Sequence, residues 1–137
     1  MKISRLIIFS CALISSCLFL SCQKTEYFKS ESGINKKLQG KWTLLPIPKT
    51  SPVEEWTFSD GKIYFTKFDS NLGVFLPVDT GSYSVHTTLS KVEIKVQDVD
   101  FYTDYNGSWE VVLLDGDILV IAIKHSGILE RDFEKKG

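Results

Sequence analysis

The sequence predicts an all-β fold, a small eight-stranded antiparallel meander barrel. Three observations carry that expectation. From Gly40 onward the chain is rich in Val, Ile, Thr, Phe, Tyr and Trp, which favour pleated, half-buried backbone. Turn signals recur at Ser59-Asp60-Gly61, Ser70-Asn71-Leu72-Gly73, Asn106-Gly107 and Asp115-Gly116, each supplying a residue that tolerates positive φ. Between several of them apolar and polar residues alternate with the period of a strand. Strands are therefore expected over 40–47, 53–59, 62–68, 81–87, 91–98, 107–114, 117–124 and 128–135. Nearly every link is short, so neighbours pair antiparallel, and closure removes the exposed edges.

The hairpins give each wall a face. A two-residue turn at Asp60-Gly61 pairs Phe58 with Ile63, Trp56 with Phe65 and Glu54 with Lys67, all on one side. Thr57, Tyr64, Glu55 and Thr66 take the other side, which is mostly polar. In the next clear strand Val92, Ile94 and Val96 point inward, and Lys91, Glu93, Lys95 and Gln97 point outward. The hairpin at Asp115-Gly116 departs from this pattern. Trp109, Val111 and Leu113 are set inward against Ile118, Val120 and Ala122, yet Val112, Leu119, Ile121 and Ile123 make the outer face apolar as well. The segment near Ile34–Leu38 is expected to cover that outer face, because bare apolar patches are uncommon on monomers.

The front of the chain has a different composition. Lys2 and Arg5 precede an uncharged run from Leu6 to Leu20, then Ser21-Cys22 and the polar stretch QKTEYFKSES. That order is the order of a secretory signal. The run is about 15 residues, short of the roughly 20 that span a bilayer. The cysteines Cys11, Cys17 and Cys22 all lie in this region. Ser21-Cys22 resembles the lipobox of bacterial lipoproteins, and CQKTE is similar to the polar, acidic tags of lipoproteins from the Bacteroidetes group. The resemblance implies cleavage before Cys22 and a diacylglycerol on its thiol. It places the protein at the cell envelope, in the outer membrane, facing the periplasm or the cell surface. Ile14-Ser15-Ser16-Cys17 fits the same pattern locally. Cutting there would leave Leu18-Phe19-Leu20 exposed, which favours Cys22. The chain thus divides into a signal over 1–21, a tether over 22–37 and one domain over 38–137. Loss of Lys2 and Arg5 leaves the mature chain mildly acidic, and nucleic acid is not an expected partner.

Leu38-Gln39-Gly40-Lys41-Trp42 resembles the Gly-x-Trp signature that opens the first strand of lipocalins. The similarity to small lipocalin-like domains of bacterial lipoproteins runs over roughly Leu38 to Lys135. It implies a late arginine, here Arg131, packed on Trp42 as a structural contact. It also implies a small apolar or amphiphilic ligand in or at the barrel mouth. Trp56, Phe65, Tyr83 and Trp109 would line that site, and Glu54 with Lys67 would orient the ligand's polar end.

The bulk of those walls supports another outcome, since an eight-stranded barrel has just enough interior for side chains to fill. The chain is then an interaction module that meets an envelope protein through Val112, Leu119 and Ile121 or through the aromatic loop Asp98–Gly107. That loop sets Asp98, Asp100 and Asp104 among Phe101, Tyr102 and Tyr105, a mixture suited to sugar stacking or to Ca²⁺. Its spacing does not match the common calcium loop. His86 and His125 stand apart without cysteine, so no zinc pattern exists. Gly-x-Ser-x-Gly is absent from the sequence. No enzyme, cofactor or metal site is expected.

Overall fold

The computed structural model describes residues 30–45, 53–124 and 127–137. Cys22, Cys17 and His125 lie outside them. Strands β1 (Gly40–Leu44), β2 (Glu54–Ser59), β3 (Lys62–Asp69), β4 (Val74–Thr87), β5 (Val92–Gln97), β6 (Gly107–Asp115), β7 (Ile118–Lys124) and β8 (Ile128–Lys136) follow one another. They form one closed barrel in sequence order, with β1 also pairing β8. Every pairing is antiparallel, so the eight-stranded meander is present as expected. The β2–β3 register matches residue for residue: Phe58 with Ile63, Trp56 with Phe65, Glu54 with Lys67. Asp60 at φ 45° and Gly61 at φ 82° both sit in the left-handed region, as the favoured two-residue hairpin requires.

A helix, α1 (Glu31–Leu38), precedes the barrel. Its start is written in the sequence. The Ser30 hydroxyl accepts from the Gly33 N–H at 3.1 Å, Glu31 stands in the first turn, and Lys36 and Lys37 stand in the last, matching the helix dipole. Ile34 and Leu38 are buried in the core. The folded unit therefore begins inside the stretch expected to be tether.

The helix seals one end of the barrel. Its Asn35 accepts from the Tyr83 hydroxyl at 2.6 Å and Gln39, which caps it, donates to that hydroxyl at 2.7 Å; Glu31 accepts from the Thr87 N–H, and the Asp60 N–H donates to Gln39. The turns at 60–61, 88–91 and 116–117 share this closed end. The β3–β4 turn and the 98–106 connection, with its single 3₁₀ turn Thr103–Tyr105, lie at the opposite, mouth end. The expected role of Ile34–Leu38 as an outer cover for β6 and β7 is thus corrected. The two apolar side chains are buried in the core at the base of the barrel.

The β6–β7 hairpin is corrected too. Its turn falls one residue later than expected, with Asp115 paired to Ile118 around Gly116-Asp117, and β6 carries a bulge at Val112 between the Val111 and Leu113 pairings. A one-residue slip exchanges the two faces of a strand. Leu119, Ile121 and Ile123 therefore point into the core, and Ile118 is 49% exposed. Of the expected outer patch only Val112 stays outside, at 57%. Leu119 and Ile121 cannot serve as a docking surface.

β4 starts at Val74 rather than 81, and a bulge lies between its Asp79 and Pro77 pairings with β3. Pro77 lies on a stretch that pairs only β3, an edge that tolerates proline. Further along, Gly81 marks a close approach. A Cβ there would stand 2.7 Å from both the Gln97 carbonyl oxygen and Val99 Cγ2. Replacing Gly81 with alanine is expected to destabilise the fold by about 1–3 kcal/mol, the usual range for forced overpacking. Urea denaturation measures it.

Candidate functional site

The interior between the plug and the mouth is occupied by rings. Trp56 stands at its centre. Its ring lies 5.1 Å from Phe65, 5.5 Å from Trp109, 5.1 Å from Phe133 and 5.2 Å from Tyr105. Trp56, Phe65, Trp109 and Phe133 have no exposed surface. Of the residues expected to line a pocket, Trp56, Phe65 and Trp109 are brought together, with Trp56 packed edge-on against both of the others. Tyr83 is not with them. It packs edge-on against Phe58 at 5.0 Å near the closed end, held there by α1.

Just above the rings sits a carboxylate. Glu54 is 6% exposed. Its Oε1 accepts from Trp56 Nε1 at 2.5 Å, and its Oε2 accepts from the Tyr105 hydroxyl at 2.9 Å. Two cations flank it: Lys67 Nζ at 3.8 Å and Arg131 Nη1 at 3.7 Å. Such a charge is tolerable in an apolar interior only because it is both paired and hydrogen-bonded. Lys67 also lies 3.8 Å above the Tyr102 ring, and the Arg131 guanidinium faces Tyr105 at 4.9 Å, with Trp56 at 5.5 Å. Arg131 Nε is buried without a hydrogen-bond partner. Burial, reinforced by the Glu54 carboxylate, pushes the Tyr105 hydroxyl well above the usual phenol range, with Arg131 opposing, so Tyr105 remains a neutral donor.

Glu54 and Lys67 thus meet as the alternation predicted. The Arg131–Trp42 contact does not form. Trp42 is buried near the closed end, where its Nε1 donates to the Leu38 carbonyl at 2.7 Å and Lys135 Nζ lies 5.0 Å over its ring. β8 explains the exchange. Trp42 pairs with Lys135, whereas Arg131 pairs with Ile121 on β7, closer to the mouth.

Tyr105 and Phe133 were absent from the expected lining. Phe133 shares a strand face with Arg131, a signal already in the sequence. Tyr105 reaches the interior because the 98–106 connection folds over the mouth, and that depends on a long-range contact. Asp79 accepts from the Phe101 and Tyr102 N–H groups at 2.8 and 2.9 Å. Burial alone would raise the Asp79 carboxyl, but these N–H groups and that of Thr80 outweigh it and hold the pKa below the ordinary 3.8. A depressed carboxyl contributes stability above its unfolded pKa and loses it as pH falls through the folded value. Changing Asp79 to alanine is therefore expected to speed amide exchange at Phe101 and Tyr102 at neutral pH. In the parent, the same amides should begin to lose protection only below about pH 4. Exchange measured by mass spectrometry reads both.

The aromatic loop divides its residues. Tyr105 goes inside, Tyr102 lines the mouth under Lys67, and Phe101 stays outside at 83% exposure. Asp98 accepts from the Ser82 hydroxyl. Among the described residues no group of three or more His, Cys, Asp or Glu is arranged to hold a metal. His86 lies on the outer face as expected, next to Glu31 at 4.0 Å.

The mouth end also carries exposed apolar surface. Phe68 and Phe75 pack edge-on at 5.3 Å on the β3–β4 hairpin, and Leu72 at its tip is 65% exposed. Comparison with protein-family models, with curated proteins and with solved structures finds no match to this chain.

Proposed function

We propose that this chain is a lipid-anchored lipoprotein of the cell envelope, a filled lipocalin-like barrel that works as a protein-interaction module rather than as a carrier. The observation that carries the reading is the contact of Trp56 with Phe65, Trp109, Phe133 and Tyr105, which leaves the expected ligand position occupied by the protein's own rings. The surface offered to a partner is the mouth end, where Leu72, Phe75 and Phe101 stand out from an acidic rim that includes Asp69 and Asp100. Anchoring rests on the Ser21-Cys22 pattern and the apolar run before it.

Native mass spectrometry of the protein extracted from its own cells tests the reading. The expected spectrum is a chain beginning at Cys22, heavier by its acyl groups, with a protein partner and no small ligand. Replacing both Leu72 and Phe101 with serine should release the partner without unfolding the barrel. A retained lipid-like molecule would restore the carrier reading, in which Glu54, Lys67 and Arg131 hold the ligand's polar end. A chain that begins at Met1 without acyl mass would remove the anchor.

A further inference from the structure

We infer that the closed end of the barrel rests on an anionic lipid surface and that the mouth points away from it. The inference rests on the lipid at Cys22 for the local tether, but its other observations concern the folded domain alone. Ser30 and α1 lie at the closed end, where Glu31 touches Thr87. The chain from Cys22 to Ser30 reaches at most about 29 Å fully extended. A wall of about seven residues is itself roughly 23 Å long. The mouth could approach the membrane only with that chain drawn out along the barrel, whereas the closed end approaches it without stretching.

Apolar side chains protrude at this end from two separate turns. Leu89 in the β4–β5 turn is 83% exposed, and Ile118 in the β6–β7 hairpin is 49% exposed. Exposed lysines surround them: Lys36 and Lys37 on α1, Lys62 at the start of β3, and Lys136 at the end of β8. Glu31, Asp60, Asp115, Asp117 and Glu134 share the end, so its net charge is small. The decisive feature is the contrast with the mouth. Asp69, Asp79, Asp98, Asp100 and Asp104 gather there, and among the described residues few cations oppose them. A negative lipid surface attracts lysines near it and repels the aspartate-rich end. The Phe68–Phe75 hairpin is thus an unfavourable membrane-inserting tip on an anionic bilayer, despite its apolar side chains, because Asp69 and the loop aspartates surround it.

The test uses the protein purified from its own membranes, with a fluorescent amino acid in place of Leu89 in one sample and of Leu72 in another. Each is mixed with vesicles of phosphatidylcholine and phosphatidylglycerol in equal parts that carry a spin-labelled quencher lipid. The probe at 89 is expected to be quenched several-fold more than the probe at 72. The difference should shrink in high salt and in a Lys36→Gln, Lys37→Gln, Lys62→Gln variant. Equal quenching, or stronger quenching at 72, overturns the proposal. The intact mass of the same samples reports acylation. If acyl groups are missing, the anchor reading fails by itself. Quenching at 89 on these vesicles, but not on phosphatidylcholine alone, then still supports the docking face, and its absence overturns it.

Discussion

Replacing Glu54 with glutamine is expected to destabilise the barrel by about 3 kcal/mol, near the lower end of what removing one partner of a buried pair costs. The loss has two sources. Lys67 and Arg131 keep their charges in a largely closed space, with side chains only 30% and 17% exposed, and no anion faces them. The amide also presents an N–H₂ to at least one donor, Trp56 Nε1 or the Tyr105 hydroxyl, where the carboxylate accepted from both. Urea denaturation at neutral pH measures the loss. The companion variant is Glu54→Leu with Arg131→Met, which removes the carboxylate and one of its two cations. It should recover part of the stability, because replacing buried ions by apolar groups of similar size is often neutral or stabilising. A loss under about 1 kcal/mol for the glutamine variant would mean that water reaches the cluster and screens it, as at an exposed pair.

Removing the central ring has the largest expected effect. Trp56→Ala should cost about 4 kcal/mol, within the range for deleting a buried aromatic, because its four ring neighbours cannot collapse fully into the space. The same substitution turns a filled barrel into one with an apolar cavity. Such cavities stay dry and take up small apolar molecules. Indole should therefore raise the Tm of the alanine variant and leave that of the parent unchanged. An equal rise in the parent would show that the native barrel already holds a pocket, and the interaction reading would give way to the carrier reading. Binding to the native state alone is what produces such a shift.

Part of this architecture is local chemistry and was legible in the chain. The β2–β3 hairpin is the clearest case. Asp60-Gly61 admits only a tight turn, and that turn fixes which residues face each other all the way to Glu54 and Lys67. The same is true of the alternation in β5, where Ile94 and Val96 are buried and Lys95 is exposed. β7 shows where this logic stops. When both faces of a strand are apolar, alternation no longer says which one is inside. The choice between Gly116-Asp117 and Asp115-Gly116 as the turn then decides every side chain. The Val112 bulge was equally hidden, since no residue type marks it.

The candidate site divides along the same line. The Glu54–Lys67 pair follows from one hairpin. The partners that make Glu54 tolerable come from far along the chain: Tyr105 through the Asp79-held loop, and Arg131 through β8. The sequence motif around Trp42 suggested an arginine partner, and the strand register supplied Lys135.

The sequence by itself determined the all-β class, the eight segments and the polarity of the first hairpin, because each depends on neighbours within a few residues. Only the tertiary structure decided that the rings of Phe65, Tyr105, Trp109 and Phe133 gather on Trp56, that α1 packs on the closed end, and that Leu119 and Ile121 face inward. Those outcomes depend on how much space remains once the wall has closed, and interior volume is a property of all eight strands together.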